Sequence, residues 1–498
     1  MASGGLKRNI ASSGLNVLVV IGTSLLVVPL LIDRLGLAAY GIWTLVQTIV
    51  LYVTTAELGF GPALARFTSV HATHPHRPRQ LLLTALALYL AVGLAIVVAC
   101  RVFAGTFVEL FSVPSGLQDD SMATVALIGW VTLAALLAGA LGHVLSGLER
   151  FVAFTWSNVL GSATFLLALV VLLRHDPRMQ DAAYAALMQW SVVAAVRLGM
   201  LRRIILSRGP RRPERDLVRQ LFGFSMRLQG AVLATLLNTQ TDRVVIGVVS
   251  PATTLGQAGV ATQVADAGRF LGYAAFSPIM SRMAVTYGAG GTEALDRLLE
   301  RQRRLWTIGV LGAIAVGVGA ARPAITIWLG EGYDEAALFA ALLIAGYGIG
   351  LLPSPAFGYL RALGKPGLEG LYGVVTVVVN LAATIVLGLL AGALGVVVAT
   401  TVAYTVSTYW VVLRSRRSVP VATDAPIRVV RVCAGMVLAA AAVYVVGEGL
   451  LAVLPRGVAL IGMLVAVPGV IVLYLMALAG LRPVAVMRGL RAARGAPD

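Results

Sequence analysis

Two residues of opposite charge stand side by side within an apolar stretch near the middle of the chain. Asp242 and Arg243 follow the apolar run GAVLATLL and precede the run VVIGVV. A charged residue at the centre of a bilayer costs roughly 2.5–3.5 kcal/mol on insertion scales, so such residues pair with one another or line a water-filled cavity. Both interpretations stay open for this pair at the level of sequence: a buried structural ion pair, or the lining of a polar path.

A second polar group lies in the next apolar segment. Thr262, Asp266, Arg269 and Tyr273 stand at positions i, i+4, i+7 and i+11, which places them on one face of a helix. Asp266 and Arg269 are also spaced to pair along that helix. Because a guanidinium group holds phosphate through two hydrogen bonds, arginines at this depth indicate an anionic substrate.

The other candidate residues are polar side chains within or beside apolar segments. The predicted substrate-binding residues are Arg227, Arg243, Arg269, Asn238, Gln47 and Asn16, and the predicted ion-coupling residues are Asp242, Asp266 and Glu57. No metal-binding cluster, catalytic triad or phosphate-binding loop is recognised. We therefore expect no enzymatic activity and no cofactor other than a coupling H⁺ or Na⁺.

The elements that position these residues are membrane helices. The chain has 498 residues, 58% of them hydrophobic and 12% charged, with a mean hydropathy of +0.88; soluble domains are about 45–50% apolar and about 25% charged. Apolar runs of about 20 residues, long enough to cross a bilayer, recur throughout. We predict an all-α polytopic membrane protein with about 14 transmembrane helices. These segments lie near 12–32, 38–58, 81–103, 121–146, 151–173, 182–204, 221–248, 255–280, 305–329, 336–361, 368–390, 394–413, 429–451 and 458–480.

The net charge of +17 is distributed unevenly between the loops. Basic connections such as RFTSVHATHPHRPRQ alternate with acidic or neutral ones such as VELFSVPSGLQDD. This alternation orients membrane helices and predicts that both termini are cytoplasmic. The basic excess then faces anionic lipid headgroups, and no nucleic-acid partner is expected.

An internal repeat is predicted from weak echoes at one offset. LSGLERFVAFTWSNVLGS in the first half resembles LRALGKPGLEGLYGVVTV about 216 residues later, and LGLAAYGIW resembles TTLGQAGVA at nearly the same offset. Two pseudo-symmetric six-helix lobes are therefore expected, with a C-terminal helix pair appended. The predicted regions are an N-lobe 1–206, a cytoplasmic linker 207–216, a C-lobe 217–417, helices 13 and 14 over 427–480, and a basic cytoplasmic tail 481–498.

A family resemblance rests on several of these stretches. PLLIDRLGLAAYGIWTLVQTIVLYVTTAELGFGPALARF, TDRVVIGVVSPATTLGQAGVATQV and VVNLAATIVLGLLAGALGVVVATTVAYTVS resemble Wzx-type polysaccharide biosynthesis flippases of the multidrug/oligosaccharidyl-lipid/polysaccharide (MOP) exporter superfamily. The resemblance implies two six-helix lobes around a central cavity, a cationic lumen and alternating access. By motif, Asp242 and Arg243 match the family's Asp-Arg pair, whereas Arg227 and Arg269 match by location.

The resemblance implies a flippase that moves an undecaprenyl diphosphate-linked oligosaccharide from the cytoplasmic to the outer leaflet of a bacterial inner membrane. Its partners would be membrane lipids, a polysaccharide polymerase and glycosyltransferases. The alternatives are a lipid II flippase and a MATE-like multidrug or cation antiporter. The short external loops disfavour a membrane glycosyltransferase. A protein that served only as a scaffold in a polysaccharide-export complex is also disfavoured, because it would need no charged residues in its lumen.

Overall fold

Helices make up the described structure. The computed structural model describes residues 19, 22–55, 60–72, 74, 76–206, 218–223, 225, 240–415, 419 and 426–479, and among these residues there is no β-strand. Hydrocarbon offers the backbone no water to bond with, so an apolar segment satisfies its own N–H and C=O groups by forming a helix. The predicted all-α membrane architecture is confirmed.

The helices follow one another with short turns between most of them. In the described residues they are α1 22–35, α2 Leu37–Thr55, α3 Phe60–Val70, α4 Arg77–Leu110, α5 Gln118–Gly147, α6 Phe151–Leu172, α7 Met179–Ile205, α8 240–249, α9 Ala252–Leu329, α10 Asp334–Leu351, α11 Ser354–Ala362, α12 Gly367–Ser415, α13 Pro426–Val453 and α14 Arg456–Ala479. A single 3₁₀ turn, Ser115–Leu117, precedes α5.

The two longest helices are each interrupted at a glycine. The 78-residue α9 has non-helical backbone at Gly291, and the 49-residue α12 has it at Ala391 and Gly392. Both glycines have positive φ, 66° and 58°, a conformation that glycine adopts without steric cost. In the described part of the chain, nine helical stretches are long and apolar enough to cross a membrane, with α9 and α12 counted once each.

Turn geometry recurs at the offset of the predicted repeat. Glu149 after α5 has φ 57°, and Gly364, 215 positions later (149 to 364), has φ 72°. The amides of residues 148, 149 and 150 donate to carbonyls four, three and five residues back, and those of residues 363, 364 and 365 do the same. Similarly, Asp176 with φ 47° precedes Gly392 by 216 positions. Turns with the same backbone conformation therefore occur at equivalent positions of the two predicted repeats.

The chain divides into two compact units, Met1–Gly256 and Gln257–Asp498. In the first unit α3, α4, α5 and α7 pack around a buried cluster that includes Phe60, Leu64, Leu81, Leu82, Leu136 and Leu145. Small residues allow these helices to approach closely, as is common in membrane helix packing. A Cβ at Gly129 of α5, for example, would lie 2.8 Å from the Val97 Cα of α4.

The second unit is built from α9 beyond Gly256 and from α10 to α14. Phe276 and Trp306 of α9 pack edge to face, and Trp306 donates its indole N–H to the Leu351 carbonyl at 2.8 Å. The α13–α14 pair packs on the second half of α9 through two small apolar clusters. Arg322 of α9 forms ion pairs with Asp334 of α10 at 2.8 Å and with Glu448 of α13 at 2.7 Å.

Helix α8 and the first residues of α9 belong to the first of these units, which extends to Gly256. The lobe limits at residues 206 and 217 stay a prediction. Close glycine packing contributes to this grouping, since a Cβ at Gly41 of α2 would lie 2.7 Å from the Gly256 amide nitrogen. The predicted linker 207–216 and tail 481–498 lie outside the described residues.

Candidate functional site

Asp242 and Arg243 lie on α8, which packs beside α2 within the first unit. The Tyr52 phenol of α2 shares a hydrogen bond with the Thr241 side chain and lies within electrostatic range of Asp242. Further along, Tyr40 lies within electrostatic range of Arg243. A Cβ at Gly247 of α8 would lie 3.1 Å from Leu45 Cδ2 of α2. Because Gly247 follows Thr241 on α8 whereas Leu45 precedes Tyr52 on α2, the two helices run antiparallel here.

Arg243 is half-buried on this helix pair. Its side chain is partly accessible, while its Nε atom is buried and has no hydrogen-bond acceptor among the described residues. An unsatisfied donor on a charged group costs free energy when it is removed from water. This nitrogen is therefore a donor that a ligand oxygen could satisfy.

The other candidates of the first unit are placed as follows. Gln47 lies on α2, half-buried, between buried Val46 and Thr48. Asn16, Glu57, Arg227 and Asn238 fall outside the described residues.

In the second unit Asp266 and Arg269 form the ion pair that their spacing predicts. Arg269 Nη2 lies 2.8 Å from Asp266 Oδ1, and the two side chains are 16% and 23% exposed. The Arg269 guanidinium carbon also lies 4.6 Å from the ring centroid of Tyr347 on α10. Arg269 is thus held by one acidic and one aromatic partner, which confirms the predicted pairing along the helix.

Further tyrosines surround Arg269. Tyr347 packs edge to face with Tyr404 of α12, with ring centroids 5.7 Å apart. Tyr404 and Tyr273 both lie within electrostatic range of Arg269. Of this group only Tyr273 was recognised in the sequence, since it shares a helical stripe with Arg269, whereas Tyr347 and Tyr404 stand far away in the chain.

A deep arginine of the first unit was missed by sequence reasoning. Arg197 of α7 is 2% exposed. Its Nε donates to Ser157 Oγ at 2.9 Å, Nη1 to the Ala138 carbonyl at 2.7 Å, and Nη2 to Asn158 Oδ1 at 2.6 Å. The guanidinium also stacks at 4.6 Å on Phe154, so it joins α5, α6 and α7 through neutral partners. An arginine inside an apolar segment was the sequence feature that could have identified Arg197 as a buried charge.

Comparison with known sequences identifies the family. A sequence model of the family described as polysaccharide biosynthesis protein matches residues 6–284, more than half of the chain. The chain belongs to this polysaccharide biosynthesis protein family. No curated protein sequence matches the chain.

The fold of this family member is shared with several solved transporters. It is similar to a lipid II flippase MurJ in an inward closed conformation (TM-score 0.70, 13% identity, covering 94% of this chain and 98% of that one). It is also similar to an inward-facing MATE multidrug transporter of the MOP superfamily (TM-score 0.58, 14% identity, covering 80% of this chain and 98% of that one). The fold also matches that of a MOP superfamily transporter from Pyrococcus furiosus, described as having a binding pocket of reverse polarity (TM-score 0.53, 14% identity, covering 82% of this chain and 95% of that one). At these identities the likeness establishes the fold alone, that of a multi-pass helical membrane protein.

Proposed function

We propose that the protein is a flippase that transfers a polyprenyl diphosphate-linked oligosaccharide from the cytoplasmic to the outer leaflet of a bacterial inner membrane. Its place in the polysaccharide biosynthesis family and the fold that it shares with MurJ support this proposal. Polymerases and glycosyltransferases that make the surface polysaccharide are the proposed protein partners, and both termini are proposed to be cytoplasmic.

The observation that carries the proposal is the Arg243 guanidinium on α8. It combines a fixed positive charge, partial accessibility and a buried Nε with no acceptor in the described residues. A diphosphate offers oxygens that match such a donor, since charge-assisted bonds to phosphate are among the strongest hydrogen bonds in proteins. The prenyl tail needs no polar path, because it can stay in lipid while the headgroup crosses.

Transport by alternating access requires that the headgroup bind the inward-open and outward-open states with different free energies. Asp242, next to Arg243, is the proposed group for coupling to H⁺ or Na⁺. When Asp242 is ionised it lowers the net charge beside the diphosphate, and when it is neutralised the site becomes more cationic. Neutralisation of Asp242 would thus favour the substrate-bound form, and ionisation would favour release.

A lipid II flippase is the second candidate, favoured by the higher structural similarity to MurJ than to the MATE transporters. Lipid II is also a polyprenyl diphosphate that carries sugars, so Arg243 would serve the same role. Depletion in cells separates the two functions: loss of a lipid II flippase lyses the cells, whereas loss of a surface-polysaccharide flippase removes the polysaccharide and leaves the cells intact.

The transport experiment uses the full chain reconstituted in vesicles. A fluorescent polyprenyl diphosphate disaccharide is placed in the membrane, and an impermeant quencher reports how fast the inner-leaflet pool reaches the outside. Arg243→Gln should slow this exchange about tenfold or more, as expected for loss of a charge-assisted bond. Arg202→Gln, at an exposed arginine near the end of α7, is the matched control and should transport normally. Wild-type rates in Arg243→Gln would refute the proposed role of Arg243.

A further inference from the structure

The stripe formed by Asp266, Arg269 and Tyr273 on α9 has the features of a binding surface that is not selective for anions. Arg269 is paired with Asp266 at 2.8 Å, so the pair carries no net charge. The guanidinium is also occupied on one side by the Tyr347 ring at 4.6 Å. A diphosphate would have to compete with the carboxylate of Asp266 for Arg269, which makes this a poor anion site.

The accessibility of the same stripe indicates that it meets water. The ion pair lies well inside α9, Asp266 being 14 positions from the first residue, Ala252, or about 21 Å along the axis. At such a depth exposed charges face aqueous cavities or the protein interior, because hydrocarbon does not solvate them. Asp266 and Arg269 nevertheless remain 23% and 16% exposed, and Tyr273, one turn further on the same face, is 56% exposed.

Aromatic groups from several helices converge on this stripe. Tyr347 of α10 and Tyr404 of α12 pack edge to face beside Arg269. Tyr372, at the other end of α12, lies within electrostatic range of Tyr404 and Tyr273. A tyrosine presents an apolar face and a polar hydroxyl tip. Together they offer flat apolar rings beside hydroxyl groups, a carboxylate and a guanidinium, without excess charge.

We propose that this surface, which we call the tyrosine stripe and define as Asp266, Arg269, Tyr273, Tyr347 and Tyr404, binds a neutral pyranose ring of the transported oligosaccharide. A pyranose has one face of C–H groups, which can stack on an exposed tyrosine ring such as Tyr273, and a rim of hydroxyls. The carboxylate of Asp266 accepts from such hydroxyls, and the free donors of Arg269 bond to their oxygens.

This inference rests on the proposed function. Binding of sugar at the tyrosine stripe gives the protein a means to distinguish a glycosylated carrier from the bare lipid diphosphate, since only the former gains the stacking contact.

The test compares two probes on the full-length purified protein: farnesyl diphosphate, and farnesyl diphosphate that bears one N-acetylhexosamine. The ratio of their dissociation constants is the sugar increment. Wild-type protein should bind the glycosylated probe more tightly. Tyr273→Ala and Tyr273→Leu should reduce the increment by about three- to tenfold, the worth of one stacked ring, and should leave the affinity for farnesyl diphosphate unchanged. Tyr273→Phe should keep most of the increment.

Tyr409→Ala is the matched control, since Tyr409 is a 67% exposed tyrosine of α12 outside the tyrosine stripe; its increment should equal that of the wild type. The inference is overturned if wild-type protein shows no sugar increment, or if both Tyr273→Ala and Tyr273→Leu retain it in full. Failure of the proposed function has a different signature: Arg243→Gln would then bind farnesyl diphosphate as the wild type does, whatever the sugar increment.

Discussion

Replacement of Arg197 by methionine provides a sharp test of how the first unit is held together. Methionine keeps an unbranched apolar side chain of similar length and removes the guanidinium. Three hydrogen-bond donors are lost, those to Ser157 Oγ, the Ala138 carbonyl and Asn158 Oδ1. These acceptors lie on α5 and α6, so the substitution removes a polar link between three helices.

The size of the effect follows from the number of bonds. Interhelical hydrogen bonds in membrane proteins average about 0.6 kcal/mol each, whereas bonds to charged groups in water-soluble proteins contribute about 1.5–3 kcal/mol. Three bonds at the lower value give about 2 kcal/mol. The stacking of the guanidinium on Phe154 at 4.6 Å adds about 0.5–2 kcal/mol. A loss of about 2–4 kcal/mol in the free energy of unfolding is therefore expected.

The assay is the thermal or denaturant midpoint of the purified protein in one detergent. Arg202→Gln, at an exposed arginine of the same helix, is the control and should unfold as the wild type does. Arg197→Lys should lie between wild type and Arg197→Met, because an ammonium group cannot reach three acceptors in the fork geometry of a guanidinium. An Arg197→Met protein as stable as the wild type would refute the reasoning. In that case the free-energy cost of removing the guanidinium from water would equal the stabilisation from its hydrogen bonds.

Three further predictions concern turns and ion pairs. Gly364 has φ 72°, a left-handed conformation that costs other residues about 1–2 kcal/mol, so Gly364→Ala should destabilise the protein by that amount. Glu149→Gly, at the equivalent turn with φ 57°, should leave the stability unchanged or raise it. Equal melting midpoints for Gly364→Ala and wild type would contradict this. Asp266→Asn should free Arg269 and so tighten the binding of farnesyl diphosphate, measured as a dissociation constant; weaker binding would contradict the proposed neutral character of the pair. Arg322→Gln, which breaks two ion pairs, should lower the melting midpoint less at high salt than at low salt, because exposed pairs are screened; a salt-independent loss would count against an electrostatic contribution.

The sequence was most informative where one helix contains the whole signal. The apolar runs predicted the membrane helices, and the spacing of Asp266 and Arg269 predicted their ion pair, since both depend on the helical period alone. The similar sequences around Glu149 and Gly364 likewise form two turns with the same hydrogen bonds, because the conformation of a turn depends on a few adjacent residues.

Contacts between helices could not be predicted in the same way. Tyr347 and Tyr404 reach Arg269 from helices that start 82 and 115 positions after Ala252 (at 334 and 367), and nothing in the periodicity of α9 specifies those partners. Arg197 has neutral partners on two other helices, so no acidic residue at helical spacing reveals its burial. The grouping of α8 with the first unit depends on close packing between helices, such as that of Gly247 on α8 against Leu45 on α2, which composition does not encode.

The central claim is that the charged stripe of α9 borders water inside the membrane, and thiol accessibility tests it most directly. Both native cysteines are replaced by alanine, and single cysteines are introduced by Tyr273→Cys and Leu271→Cys. These two side chains are exposed to similar extents, 56% and 67%, but point to opposite sides of α9, about 200° apart. A charged, membrane-impermeant thiol reagent should label the Tyr273→Cys protein rapidly and the Leu271→Cys protein scarcely at all. Labelling of neither variant, or of Leu271→Cys alone, would contradict the presence of water along the stripe.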